Sequence, residues 1–162
     1  MAPRTWVVNA SPLILLGKTS HLRLLSALAD QIAVPRAVVE EIGAKPDGSQ
    51  TLQAIADDPI FTLIDNTAPT PEILSWDLGV GETQVIANAR ARDAERVVID
   101  DLEARRCAKA MGLTIIGTLG IVGRAKAMGL IDRAEPMIQR LRDTGLYASD
   151  ELIRRLLREV GE

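Results

Sequence analysis

Aromatic side chains are scarce in this chain of 162 residues: Trp6, Phe61, Trp76 and Tyr147 are all it has. A sheet platform that stacks nucleobases on several rings is therefore not expected. The one cysteine, Cys107, excludes an internal disulfide and a cysteine-based zinc site. The one histidine, His21, excludes sites built from several histidines. No stretch approaches the roughly 18 apolar residues of a membrane span. The N-terminal apolar run is interrupted by Asn9, Ser11 and Pro12 and does not read as a signal peptide. The expected setting is cytoplasmic, with no membrane partner. Polar chemistry in such a chain must use carboxylates, hydroxyls and amides.

What is present suits one globular domain over residues 1–162, with 47% hydrophobic and 25% charged residues. Nineteen Lys and Arg against twenty-two Asp and Glu leave a formal charge of −3, which gives no bulk attraction for nucleic acid. The charge is uneven. Residues 1–100 are net −5, and residues 101–162 are net +2.

Short apolar runs alternate with helical periodicity. Strands are expected at Thr5–Val8, Ile32–Val34, Ile60–Ile64, Val97–Ile99 and Leu113–Ile116. Ser11-Pro12 reads as a helix N-cap followed by an N1 proline, and Ser20 as the cap of a second helix. Further helices are expected from Pro35, from Ser49, over about 82–94, through Ala104–Met111, and over 119–128, 136–142 and 150–160. In the last, Ser149 caps and Leu152, Leu156 and Val160 face inward. This alternation indicates an α/β fold around a mostly parallel sheet.

Ligands of such sheets bind beyond the carboxyl ends of the strands. Asn9 and Ser11 follow the first strand, Asp100 and Asp101 the fourth, and Thr118 the fifth. Glu41 and Glu82 lie on helices, with Glu41 one position from the centre of the stripe set by Val38 and Ile42. Each has an ordinary structural reading too. Glu82 can complement a helix dipole, Asp100 or Asp101 can cap the next helix, Thr118 can cap its own, and Glu40 and Glu41 can be solvated.

Together they say more. Like charges ~5 Å apart repel by about 3 kcal/mol at an effective dielectric near 20. A fold that gathers carboxylates therefore needs a counter-charge. Mg²⁺ supplies one, taking oxygen ligands from one or two carboxylates together with water and phosphate. Phosphodiester hydrolysis is the matching reaction class.

At these residues the chain resembles the PIN-domain family. Val7-Val8-Asn9-Ala10-Ser11-Pro12-Leu13-Ile14 looks like that family's first strand and turn. Val34-Pro35-Arg36-Ala37-Val38-Val39-Glu40-Glu41-Ile42 looks like the segment of its second acid. Leu78-Gly79-Val80-Gly81-Glu82-Thr83 looks like the third. Val97-Val98-Ile99-Asp100-Asp101-Leu102-Glu103-Ala104-Arg105 looks like the fourth. Ile116-Gly117-Thr118-Leu119-Gly120 resembles the closing strand and turn of an uncharacterised, toxin-like branch.

The resemblance implies a three-layer α/β/α fold. It implies a ribonuclease using Mg²⁺ or Mn²⁺, with RNA as substrate. In the VapC-type toxins it also implies an antitoxin partner and a homodimer. On that reading Glu41, Glu82 and Asp101 or Asp100 hold the metal and Asn9 is a neutral ligand. Ser11, Thr118 and Arg105 position water or phosphate. The family's first acid, normally Asp, is Asn9 here. That departure supports a second reading, a PIN-like module that binds RNA or protein without cutting.

Other folds fit poorly. A phosphoacceptor domain needs an Asp where Asn9 stands. A dinucleotide fold needs G-x-G-x-x-G where Asn9-Ala10-Ser11-Pro12 stands. Cys107 reads as core and His21 as surface. Arg154, Arg155 and Arg158 on the last helix can face RNA, a partner or water.

Overall fold

The computed structural model describes residues 2–162. Five strands run β1 (Thr5–Val8), β2 (Gln31–Pro35), β3 (Phe61–Ile64), β4 (Arg96–Val98) and β5 (Ile115–Ile116). They form one sheet in the order β3-β2-β1-β4-β5, and every pairing is parallel. Val7 and Val8 of β1 and Val97 and Val98 of β4 are fully buried. Such continuous apolar burial is what a parallel sheet covered on both faces requires. Helices supply that cover, giving a three-layer α/β/α fold.

The first helices are α1 (Ala10–Lys18), α2 (Arg23–Leu28), α3 (Arg36–Gly43), α4 (Gly48–Asp57) and α5 (Pro71–Leu74). Then come α6 (Val80–Ala91), α7 (Leu102–Ala110), α8 (Thr118–Ala127), α9 (Ala134–Thr144) and α10 (Asp150–Glu159). The core joins Trp6, Leu13, Leu16, Leu25, Ile42, Ile86, Ile121 and Leu141 across the layers. Cys107 lies in it fully buried, and burial raises its thiol pKa, as suits an inert core residue.

Strand order positions the site. From β1 the chain builds outward through β2 and β3, then returns to place β4 on the other side of β1. The carboxyl ends of β1 and β4 therefore flank the point where the order reverses, the usual ligand crevice of open α/β sheets.

Several local expectations are corrected. Ser11 is not the cap of α1; Asn9 is, in an extended conformation, and its side chain makes no capping bond. Pro12 therefore sits at the third helical position, where its missing N–H is still one of the unpaired first-turn donors. Ser20 has φ 60° and ends the turn after α1 rather than capping α2. α4 begins at Gly48, ahead of Ser49. A Cβ on Gly48 would stand 1.9 Å from the Ile42 carbonyl oxygen, so only glycine fits there. α6 begins two residues before Glu82, and β5 shortens to Ile115–Ile116. On α10, capped by Ser149 as expected, Ile153 is the buried residue and Leu152 is 40% exposed. His21 is half-buried, and burial, followed by the Arg140 and Arg23 charges, lowers its pKa.

Candidate active site

Asn9 leaves the end of β1 with its backbone N–H donating to the Val98 carbonyl of β4, at 3.0 Å. Its side chain is 5% exposed, and Oδ1 has no hydrogen-bond partner. A buried amide oxygen without a donor is costly, about 1–3 kcal/mol. Such an atom calls for an explanation, an ordered water or an ion being the ordinary ones.

Glu41 reaches the same place from α3, which packs against α6. A Cβ built on Gly81 would lie 2.8 Å from Glu41 Oε2 and 3.6 Å from Asn9 Oδ1. Both oxygens therefore border the space that Gly81 leaves open. Gly81 is a position the sequence does not single out; its one signal is a glycine in the first turn of a helix next to a candidate acid.

Glu82 follows in the first turn of α6 and is half-buried. Burial raises its carboxyl pKa most; the negative charges of Asp101 and Glu41 add to the shift, and a hydrogen bond to the Gly79 backbone offsets part of it. Glu82 thus feels both other carboxylates. Glu41, Glu82 and Asp101 do not form one close cluster among the described residues.

The two adjacent aspartates divide their roles. Asp101 is the N-cap of α7, and its Oδ2 accepts from the Ala104 N–H at 3.0 Å. It remains exposed, and its charge acts on Glu82. Asp100 is turned to α8: Oδ1 accepts from the Thr118 N–H at 2.7 Å and Oδ2 from the Thr118 hydroxyl at 2.6 Å. Thr118 is the first residue of α8, with Gly117 as its cap, and is fully buried. Its link to the cleft runs through Asp100.

A cavity of about 520 Å³ is lined by Asn9, Ser11, Leu15, Glu82, Asp100, Asp101, Leu102, Gly145, Leu146 and Tyr147; Glu41, exposed on α3, is not on its wall. Ser11 is exposed on its wall. Arg105 is set back; its Nη1 donates to the Ile99 carbonyl at 2.9 Å, and it lines a neighbouring cavity of about 450 Å³ with Gly117 and Ile116. The segment Gly145–Tyr147 had not been singled out from sequence.

Among the described residues, no three Asp, Glu, His or Cys side chains stand close enough to grip an ion by themselves. The donor atoms nearest Asn9 are oxygens, the type a hard ion such as Mg²⁺ would take along with several waters. They do not fit a soft metal, since all are oxygens.

Comparison with known proteins bears on the family and the fold. The family model described as DUF3368, PIN domain, matches residues 5–162. The crystal structure of PAE2754 from Pyrobaculum aerophilum is similar in fold. Its TM-score is 0.54 at 17% identity, over 76% of this chain and 90% of that one. No curated protein matches. No helix among the described residues is long and apolar enough to cross a membrane. With β1 and β4 meeting at an acid-lined crevice and the family match running almost end to end, the chain belongs to the PIN-domain family.

Proposed function

We propose that this chain is a metal-dependent endoribonuclease that hydrolyses RNA phosphodiester bonds. The observation that carries the reading is the orphaned Asn9 Oδ1, which borders the space above Gly81 together with Glu41 and lines a cavity with Glu82, Asp100 and Asp101. Glu41, Glu82 and Asp101 would hold a Mg²⁺ or Mn²⁺ ion, directly or through water, with Asn9 as a neutral ligand. When bound, such an ion activates water and stabilises charge on phosphoryl oxygens.

The chain's own residues have definable parts. Asp101 and Glu41 crowd Glu82 with negative charge, so the cluster favours binding a cation. Asp100 and Thr118 brace the β4–α7 turn against the start of α8. Ser11 offers a hydroxyl on the cavity wall. The resemblance to toxin members adds an antitoxin partner and a homodimer to the proposal.

The test is a calorimetric Mn²⁺ titration of the folded protein, paired with an RNA cleavage assay. Binding, and cleavage that a chelator stops, are the expected results. A second reading, a PIN-like module that binds without cutting, is favoured by the neutral Asn9 and by the absence of a three-carboxylate cage among the described residues. Folded protein that neither binds Mn²⁺ nor cleaves RNA would decide for it.

A further inference from the structure

Tyr147 is 97% exposed. The other three aromatics are interior or partly so: Trp6 is 1% exposed, Phe61 is buried, and Trp76 packs half-buried against the core. A freely exposed ring is unusual, because a tyrosine can bury a large apolar area.

The exposure is built in. α9 ends at Thr144, and Gly145, with φ 128°, turns the chain out of the helix. Leu146 then donates its N–H to the Leu141 carbonyl and buries its side chain. Ala148 is buried as well, and Ser149 caps α10 through the Leu152 N–H. Tyr147 thus lies between two buried neighbours in a segment fastened at both ends. Extended backbone sends alternate side chains to opposite faces, so burying Leu146 and Ala148 turns Tyr147 outward.

The ring also has an address. Tyr147 lines the same cavity as Asn9, Glu82, Asp100 and Asp101, and Leu102, 60% exposed, lies on that wall too. Tyr147 also lines the neighbouring cavity of about 450 Å³, which shares Asp100, Leu102 and Leu146 with this one and holds Arg105. The ring therefore stands on the rim common to an acid-lined cavity and one that holds a guanidinium, where a strand can lay a base on it.

We infer that Tyr147 is a stacking post that holds one unpaired base of a single-stranded RNA at the rim of the acidic cleft. The inference rests on the nuclease reading for its ligand class. It refines the expectation from composition: one ring cannot form a platform, but one ring beside the cleft can set the register of a strand. A base inside a duplex is already stacked and cannot lie on the ring, so the post selects single strands.

The experiment measures equilibrium binding of a short oligoadenylate, and of a hairpin duplex, by fluorescence anisotropy. Ca²⁺ replaces Mn²⁺, and strand integrity is checked on a gel. Tyr147→Ala should bind the single strand about tenfold more weakly or worse, the range for losing one base–aromatic stack. Tyr147→Phe should bind like the parent. Tyr147→Trp should bind at least as tightly, with emission quenched as the oligoadenylate is added. All three should melt like the parent, since the side chain touches no core. Equal affinity of Tyr147→Ala and parent would overturn the inference while leaving cleavage, and so the nuclease reading, intact. Loss of binding in Tyr147→Ala with no cleavage by the parent in Mn²⁺ would keep the stacking post and overturn the nuclease reading. Equal RNA binding with loss of self-association in Tyr147→Ala would assign the ring to a protein contact. No RNA binding by the parent would overturn both.

Discussion

Asp100 holds Thr118 with both carboxylate oxygens, one on the backbone N–H at 2.7 Å and one on the hydroxyl at 2.6 Å. The bond spans the sheet edge: Asp100 follows β4, and Thr118 begins the helix that follows β5. Thr118→Val keeps the shape and removes the hydroxyl. It should cost about 1–3 kcal/mol, since a half-buried charged oxygen loses a donor. Thr118→Ser should lose far less. Urea unfolding measures both. If the aspartates of the β4–α7 turn serve a metal, Mn²⁺ affinity should fall with Thr118→Val and recover with Thr118→Ser.

Glu82 should destabilise the metal-free fold near neutral pH. Its pKa is raised in the folded chain, so the stability it contributes is full below the unfolded value. That stability is lost as pH rises through the folded one. Glu82→Gln removes this loss. The variant should melt higher than the parent at pH 7 without metal, with the gap closing in acid. Adding Mn²⁺ should raise the melting temperature of the parent but not of the variant. A lower melting temperature for the metal-free variant at pH 7 would contradict the strained-carboxylate picture.

Gly81→Ala pits helix propensity against site geometry. Alanine is preferred to glycine in a helix interior by up to about 1 kcal/mol, and by less at Gly81, which lies in the first turn of α6. Its Cβ would come within 2.8 Å of Glu41 Oε2, a flexible side-chain end that can swing away. The fold should therefore survive or gain slightly in thermal melts. Mn²⁺ affinity should drop, because Glu41 is displaced from the Asn9 side.

Asn9→Asp should act in the opposite sense. It places a charge where an unpartnered oxygen is buried, close to Glu41. Without metal the variant should melt lower than the parent, since a buried charge lacks a partner. With Mn²⁺ it should bind tighter and gain more stability than the parent does. Calorimetry and melts in chelator and in Mn²⁺ read the two effects separately.

Much of this was legible because burial leaves a strong pattern. Val7-Val8 and Val97-Val98 read as strands of a covered sheet, and that pattern sets Asn9 and Asp100-Asp101 at its carboxyl end. Helix periodicity and the family resemblance together point to Glu41 over Glu40, and Glu41 Oε2 and Asn9 Oδ1 both border the space above Gly81. Sequence could not separate Asp100 from Asp101, because each can cap a helix or accept from a distant donor. Only the position of Thr118, 18 residues on, divides them. Ser11 and Ser20 misled for a related reason. Both have cap chemistry, but strand pairing at Asn9 and the turn after α1 set the helix starts first. Tyr147 was hidden because its meaning depends on burial of Leu146 and Ala148, which no local pattern encodes.

The placement of β1 between β2 and β4 also has a consequence for synthesis. β1, β2 and β3 leave the ribosome first and can pair, but the other edge of β1 stays open until β4 emerges near residue 96. The Asn9 N–H has no carbonyl to meet until Val98 arrives, and Asp100 has no brace until Thr118 does. Long-range parallel pairing of this kind is slow to form. The acids that line the crevice are therefore brought together only after β4 and Thr118 have both been made.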